Sequence, residues 1–365
     1  VTMSLLERRY RSVLRLLPAA YRAEREEEMV AAFMEMSGDA PDEENLRPRW
    51  GEIASVVALA TRVRLGGAGS APRSFAWGAT VRLIALLGLA FQSVYAVFTI
   101  ADLIRAGALR AGSEAVLTPG STVVLLNFGK ITQLGGGALI CSAVAFIAIM
   151  RGRVRVARIA ALLGLLPALI HPFTQPGWPW IDPFWPSDLG YLLSVAVPAI
   201  ALLLGFHADV PPLRSPWWLT LLPVAIGVVF DVVTRTILSS HWALSDLLTR
   251  WTGDPEAIAW SYLWLDPQGL AIVGLVVTGV VVLARRCGPS WALALAVLGV
   301  PLLTFRLSLI VATAPEGPNA VLWTTALAQS VLVAALIALL TATGLKALPG
   351  KVRPGAAVSG PAPVP

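Results

Sequence analysis

Asp231 and Arg235 stand four residues apart inside an apolar run, residues 217–240, and Arg306 lies at similar depth in a second run, VLGVPLLTFRLSLIVAT. Side chains four residues apart share one face of a helix, so this carboxylate and guanidinium can pair locally. A charge at bilayer depth is costly and as a rule faces a protein interior or a partner. A shared Asp231–Arg235–Arg306 cluster lowers the cost of keeping two cations in lipid. Two roles fit it. One is a polar cavity for an anionic ligand or a coupled ion. The other is a structural ion cluster that fixes helix register, with both arginines reaching toward the outer interface. A single carboxylate supplies no proton relay.

Other chemistry-bearing residues are sparse. Pro167, Pro198, Pro223 and Pro301 fall within apolar runs. Each removes a backbone donor and tends to kink its helix, a habit of substrate cavities and of ordinary membrane helices alike. The loop HPFTQPGWPWIDPFWPSD is dense in proline and aromatics and reads as an interfacial belt, with a lid as the sharper alternative. His171, Asp182, Asp188, His241 and Asp246 have no metal-ligand spacing, so no metal and no cofactor is expected. No phosphate-binding glycine loop, nucleophile elbow or nucleic-acid module is present, and the chain reads as non-enzymatic. Cys141 and Cys287 fall in a span and a turn, so a disulfide between them is not expected.

The elements that must position these residues are set by composition. Of the residues, 56% are hydrophobic and 14% charged, against about 25% charged in a soluble domain. Twelve of the 28 Lys and Arg, and 11 of the 22 acids, lie before residue 83, so a polar front precedes a greasy remainder. Apolar runs recur at 78–101, 131–150, 157–170, 189–206, 217–240, 268–284, 291–313 and 320–345. About 20 such residues match a ~30 Å hydrocarbon layer. The count is eight spans, with seven and nine as neighbouring alternatives. The third run is short and extends naturally into residues 171–173.

Basic residues orient the bundle. With the N-terminus inside, Arg151, Arg153, Arg155, Arg158, Arg214, Arg285, Arg286, Lys346, Lys351 and Arg353 are also inside. The outer loops then collect acids, Asp266 among them. Lys and Arg are retained on the cytoplasmic side, so both termini are expected there, in the cell membrane. Shifting the sequence by 134 residues lays Arg151 on Arg285, Pro167 on Pro301, and runs two to four on runs six to eight. That spacing predicts a 4+4 repeat of the kind found in some transporters. Residues 346–365, rich in Pro, Gly, Ala and Val, read as a disordered cytosolic tail.

The front, residues 1–76, reads as a small cytosolic three-helix domain. Ser4 and Glu7 form a capping box ahead of Leu6, Tyr10, Val13 and Leu17, and Pro18 closes the first helix. A second helix from Ala19 to Met36 carries Met29, Phe33 and Met36 on one face and an acidic run on the other. Ile53, Val57, Ala60 and Val63 mark a third, closed by Gly66 and Gly67. The pattern Tyr10, Leu14, Leu17-Pro18, Tyr21-Arg22, Glu24, Glu27-Glu28-Met29 resembles the permease-prefix type of domain. That domain precedes membrane regions in many actinobacterial proteins, including transporter permeases and membrane proteins paired with transcriptional regulators. The resemblance covers under a fifth of the chain and implies interaction or regulation, not catalysis.

The expected architecture is therefore all-α, a polytopic transmembrane bundle (77–345) behind a helical prefix. Its partners are membrane lipid and a cytosolic protein that meets residues 1–76, with no nucleic acid. Two functions follow, a sensor-like or regulatory membrane protein and a permease-like transporter for a small or anionic substrate.

Overall fold

The computed structural model describes residues 5–37, 50–67, 70, 72–112, 137–174, 185–207, 215–239, 263–264, 266–313, 315 and 320–350. Every regular element among them is an α-helix. In chain order these are α1 (Leu5–Leu14), α2 (Ala19–Ser37), α3 (Trp50–Arg64), α4 (Pro72–Gly112), α5 (Gly137–Met150) and α6 (Val154–Thr174). They continue as α7 (Trp185–Gly205), α8 (Trp217–Ser239), α9 (Pro267–Ala284), α10 (Pro289–Ala312) and α11 (Ala320–Lys346). Among the described residues, four segments are long and apolar enough to cross a membrane: Pro72–Phe98, Asp188–Gly205, Pro289–Ala312 and Ala320–Lys346. Gly137–Met150, Trp217–Val233 and Gln268–Ala284 are shorter apolar stretches. α6 reaches Thr174, and so takes in residues 171–173 as the sequence predicts. Ser4, the loop after Thr174 and residues 351–365 of the expected 346–365 tail lie outside the described residues, whereas Lys346 still belongs to α11 and Leu348 is buried.

Helix α10 is the hub. Five consecutive residues, Ala292 to Ala296, are buried, so this part of the helix is covered on more than one face. It packs most extensively on α11 and also on α7, α4 and α9; α4 in turn packs on α7 and α8. Small residues set these approaches: a methyl group at Gly88 of α4 would come within 2.3 Å of the Pro198 ring of α7. The outer faces are greasy instead of polar. Ile159, Leu162, Leu163 and Leu166 of α6 and Val228, Val229 and Val232 of α8 are all exposed. A contiguous apolar exterior on helices of this length points to a membrane-embedded bundle.

The turns after α5 and α9 agree hydrogen bond for hydrogen bond at the 134-residue shift. Arg151 N donates to Ile147 O as Arg285 N does to Val281 O (3.1 and 2.9 Å), and Arg153 N to Ala148 O as Cys287 N does to Val282 O (2.8 and 3.0 Å). Both turns hinge on a left-handed residue, Gly152 (φ 73°) and Arg286 (φ 49°). Helix C-caps of this form recur widely, so the agreement is one of turns.

In the prefix, α1, α2 and α3 bury Leu6, Tyr10, Leu14, Leu17, Val30, Phe33, Val56 and Ala60 in one cluster. Tyr10 stacks on Phe33 with ring centroids 3.9 Å apart. Two expected core positions are corrected. Val57 is exposed and its neighbour Val56 is buried, and Met36 is 80% exposed. The buried stripe of α3 thus runs Val56, Ala60, Val63, keeping the expected Ala60 and Val63 and exchanging Val57 for Val56. Arg64 Nη2 donates to Leu16 O at 2.8 Å and closes the domain. The prefix then joins α4 tightly. The chain turns at Gly66 (φ 88°), and a side chain at Gly78 would meet Leu65 O at 1.9 Å. Since α4 starts at Pro72, the expected domain boundary at residue 76 falls inside a continuous helix.

Candidate functional site

Helix α9 starts with Asp266-Pro267-Gln268-Gly269, and three of these residues shape that start. Pro267 sits at the first helical position, where its missing N–H costs nothing. Asp266 is the N-cap, and its Oδ1 accepts from Gly269 N at 2.5 Å. Gly269 is tightly boxed: a Cβ there would lie 2.1 Å from Leu263 O.

Arg306, in the C-terminal half of α10, reaches this cap. Its Nη2 donates to Asp266 Oδ1 at 2.7 Å and Nη1 to Asp266 Oδ2 at 3.2 Å, a fork-on-fork ion pair. Nη2 also donates to Leu263 O at 3.0 Å. Gln329 of α11 donates to the same carbonyl at 3.0 Å. Arg306 is 1% exposed and Gln329 fully buried. One polar knot therefore ties α9, α10 and α11 together. A buried guanidinium carries five donors in a fixed fork, so a carboxylate already held rigidly by a helix cap suits it better than a mobile one.

Among the described residues, Arg306 has one carboxylate partner, and it is Asp266. Asp266 thus takes the place at Arg306 that the sequence reading gave to Asp231. Asp231 is buried on α8 at 8% exposure. Arg235 belongs to the same helix, and its side chain lies outside the described residues, as does any pairing of it with Asp231. The sequence reading missed Asp266 by counting it among outer-loop acids. The signal was present in Asp-Pro ahead of an apolar run, the signature of a capped helix start at the edge of a span.

Beside the knot lies a cavity of about 320 Å³ bounded by α4, α7, α8, α9 and α10. Phe91 and Tyr95 of α4, Pro198 of α7, Phe230 of α8, Gly274 of α9 and Phe305 of α10 line it. Phe91, Tyr95 and Phe98 share one face of α4, and Phe98 meets Phe230 edge-on at 4.9 Å. Gly274 faces open space, with no atom within 4 Å of where its Cβ would stand. An apolar pocket with a few polar groups is the usual form of a small-molecule site, and this one has the volume of a small member of that class. No group of three or more metal-ligating side chains occurs among the described residues. Comparison with protein-family models, with curated proteins and with solved structures finds no match to this chain.

Proposed function

We propose that this chain is a non-enzymatic, sensor-like or regulatory protein of the cell membrane. In this reading it crosses the bilayer eight times with both termini in the cytosol. The cavity takes a small apolar ligand, and residues 1–76 convey its occupancy to a cytosolic protein partner. One observation carries the reading: a single continuous helix, α4, both lines the cavity through Phe91 and Tyr95 and abuts the prefix at Gly78. Helices move as stiff units, so a shift of α4 on ligand entry displaces the Leu65–Gly78 contact. The neutralised Arg306–Asp266 pair supports a fixed frame on the α9–α11 side against which α4 moves.

The test is filling the cavity. Gly274→Phe places a ring into open space, and hydrogen exchange of residues 62–78 is compared with wild type in the full chain. Altered protection there is the expected result. Unchanged protection, with the variant intact and folded, overturns the coupling.

The alternative reading is a permease-like transporter for a small or anionic substrate, with the buried Asp231 of α8 in its site. It predicts that Asp231→Asn abolishes transport at unchanged membrane abundance.

A further inference from the structure

The turn between α5 and α6, MRGRVRVAR, carries four arginines and no acid. Arg158 is engaged, its Nη2 donating to Phe206 O. Arg151, Arg153 and Arg155 are exposed, and no ion pair among the described residues involves them. Arg151 and Arg153 stand at one end of a groove between the two helices, whose walls are Val144 and Ile147 of α5 and Val156 of α6. These three are 45%, 40% and 46% exposed. Further along, Ile140 on α5 and Ile159 and Leu163 on α6 are exposed in the same manner. From residue 140 to 147 the helix rises about 10 Å, so an apolar track of that length leads away from two uncompensated cations.

We propose that this groove binds one anionic phospholipid of the bilayer. Its phosphate sits between the Arg151 and Arg153 guanidinium groups and one acyl chain runs along Val144, Ile147 and Val156. Guanidinium groups match phosphate oxygens in geometry as well as charge. A basic cluster at the membrane surface attracts anionic headgroups, and the apolar walls add area that a free phosphate cannot use. The turn after α9 is a natural control. Arg285 and Arg286 place two arginines on the same backbone turn, outside the groove that Arg151 and Arg153 border. The inference rests on the bilayer placement proposed above.

The experiment uses the full chain in nanodiscs of phosphatidylcholine containing a minor fraction of phosphatidylglycerol, with retained lipids counted by native mass spectrometry. Failure to enter nanodiscs overturns the bilayer placement and this inference with it. Given entry, wild type should retain one phosphatidylglycerol per chain in preference to phosphatidylcholine. Arg151→Gln/Arg153→Gln should lower that retention at least tenfold, and Arg285→Gln/Arg286→Gln should leave it unchanged. Equal losses in both double variants mean general charge attraction and overturn the proposal, as does absence of preference in wild type. If the first double variant does not accumulate, Ile147→Trp fills the track, keeps both arginines, and should lower retention to the same degree; full retention in it overturns the proposal.

Discussion

Separating Arg306 from Asp266 should be among the most damaging single changes available to this fold. The guanidinium is 1% exposed and makes two hydrogen bonds to the carboxylate, at 2.7 and 3.2 Å, and one to Leu263 O. Arg306→Met removes one charge and leaves the other, the part-buried Asp266, at its helix cap. Breaking a buried pair from one side costs about 3–5 kcal/mol, chiefly through the stranded partner. Asp266→Asn strands the guanidinium instead, and an Asn serves as N-cap about as well as Asp, so the Gly269 N–H keeps an acceptor. Asp266→Ala loses the cap as well and should cost about 1 kcal/mol more. The double variant Arg306→Met/Asp266→Asn removes both charges together, and should be no less stable than either single variant. The cycle therefore predicts a coupling of about 3 kcal/mol or more, read from unfolding of the purified full chain in mixed micelles by tryptophan fluorescence. In parallel, Arg306→Met and Asp231→Asn should combine additively to within about 0.5 kcal/mol. Additivity at Asp266 together with coupling at Asp231 would refute the pairing and restore the partner expected from sequence.

Two further outcomes follow from named contacts. In the prefix, Arg11 grips Glu27 through both oxygens at 2.6 and 2.8 Å, and this hydrogen bonding holds the Glu27 carboxyl below its ordinary value. A depressed folded value means stability that is present above the unfolded carboxylate range, about 4.3, and lost as pH falls through the folded value. Prefix hydrogen-exchange protection in the full chain should therefore weaken on acidification below that range, and Glu27→Gln should remove this part of the pH dependence while leaving the rest. At the turns, Arg286→Gly relieves a left-handed side-chain residue (φ 49°) and should stabilise by about 1 kcal/mol, whereas Gly152→Ala (φ 73°) should cost about as much, both read from the same micelle unfolding.

What could be read before the structure was what depends on neighbours along the chain. The apolar runs at 189–206, 217–240, 268–284, 291–313 and 320–345 reappear as α7 to α11 with ends within a few residues, because span length and hydropathy are local and lipid thickness fixes their scale. The prefix helices were likewise legible from their periodicity. Within α3, however, Val56 and not Val57 is buried. On a helix the two positions are 100° apart, and only the placement of α1 and α2 selects between them. The candidate site was half legible. Arg306 announces itself as a charge inside an apolar run, and Asp231 offered the carboxylate of similar depth. Forty residues separate Arg306 from Asp266, and nothing local says that the cap of α9 rests against the C-terminal half of α10. The cavity is further still from the linear record, since five helices contribute its wall and no motif marks any of them. Composition made this chain a bundle of apolar helices. Helix packing, which brings distant side chains within 3 Å, chose its ion pair and left its chamber.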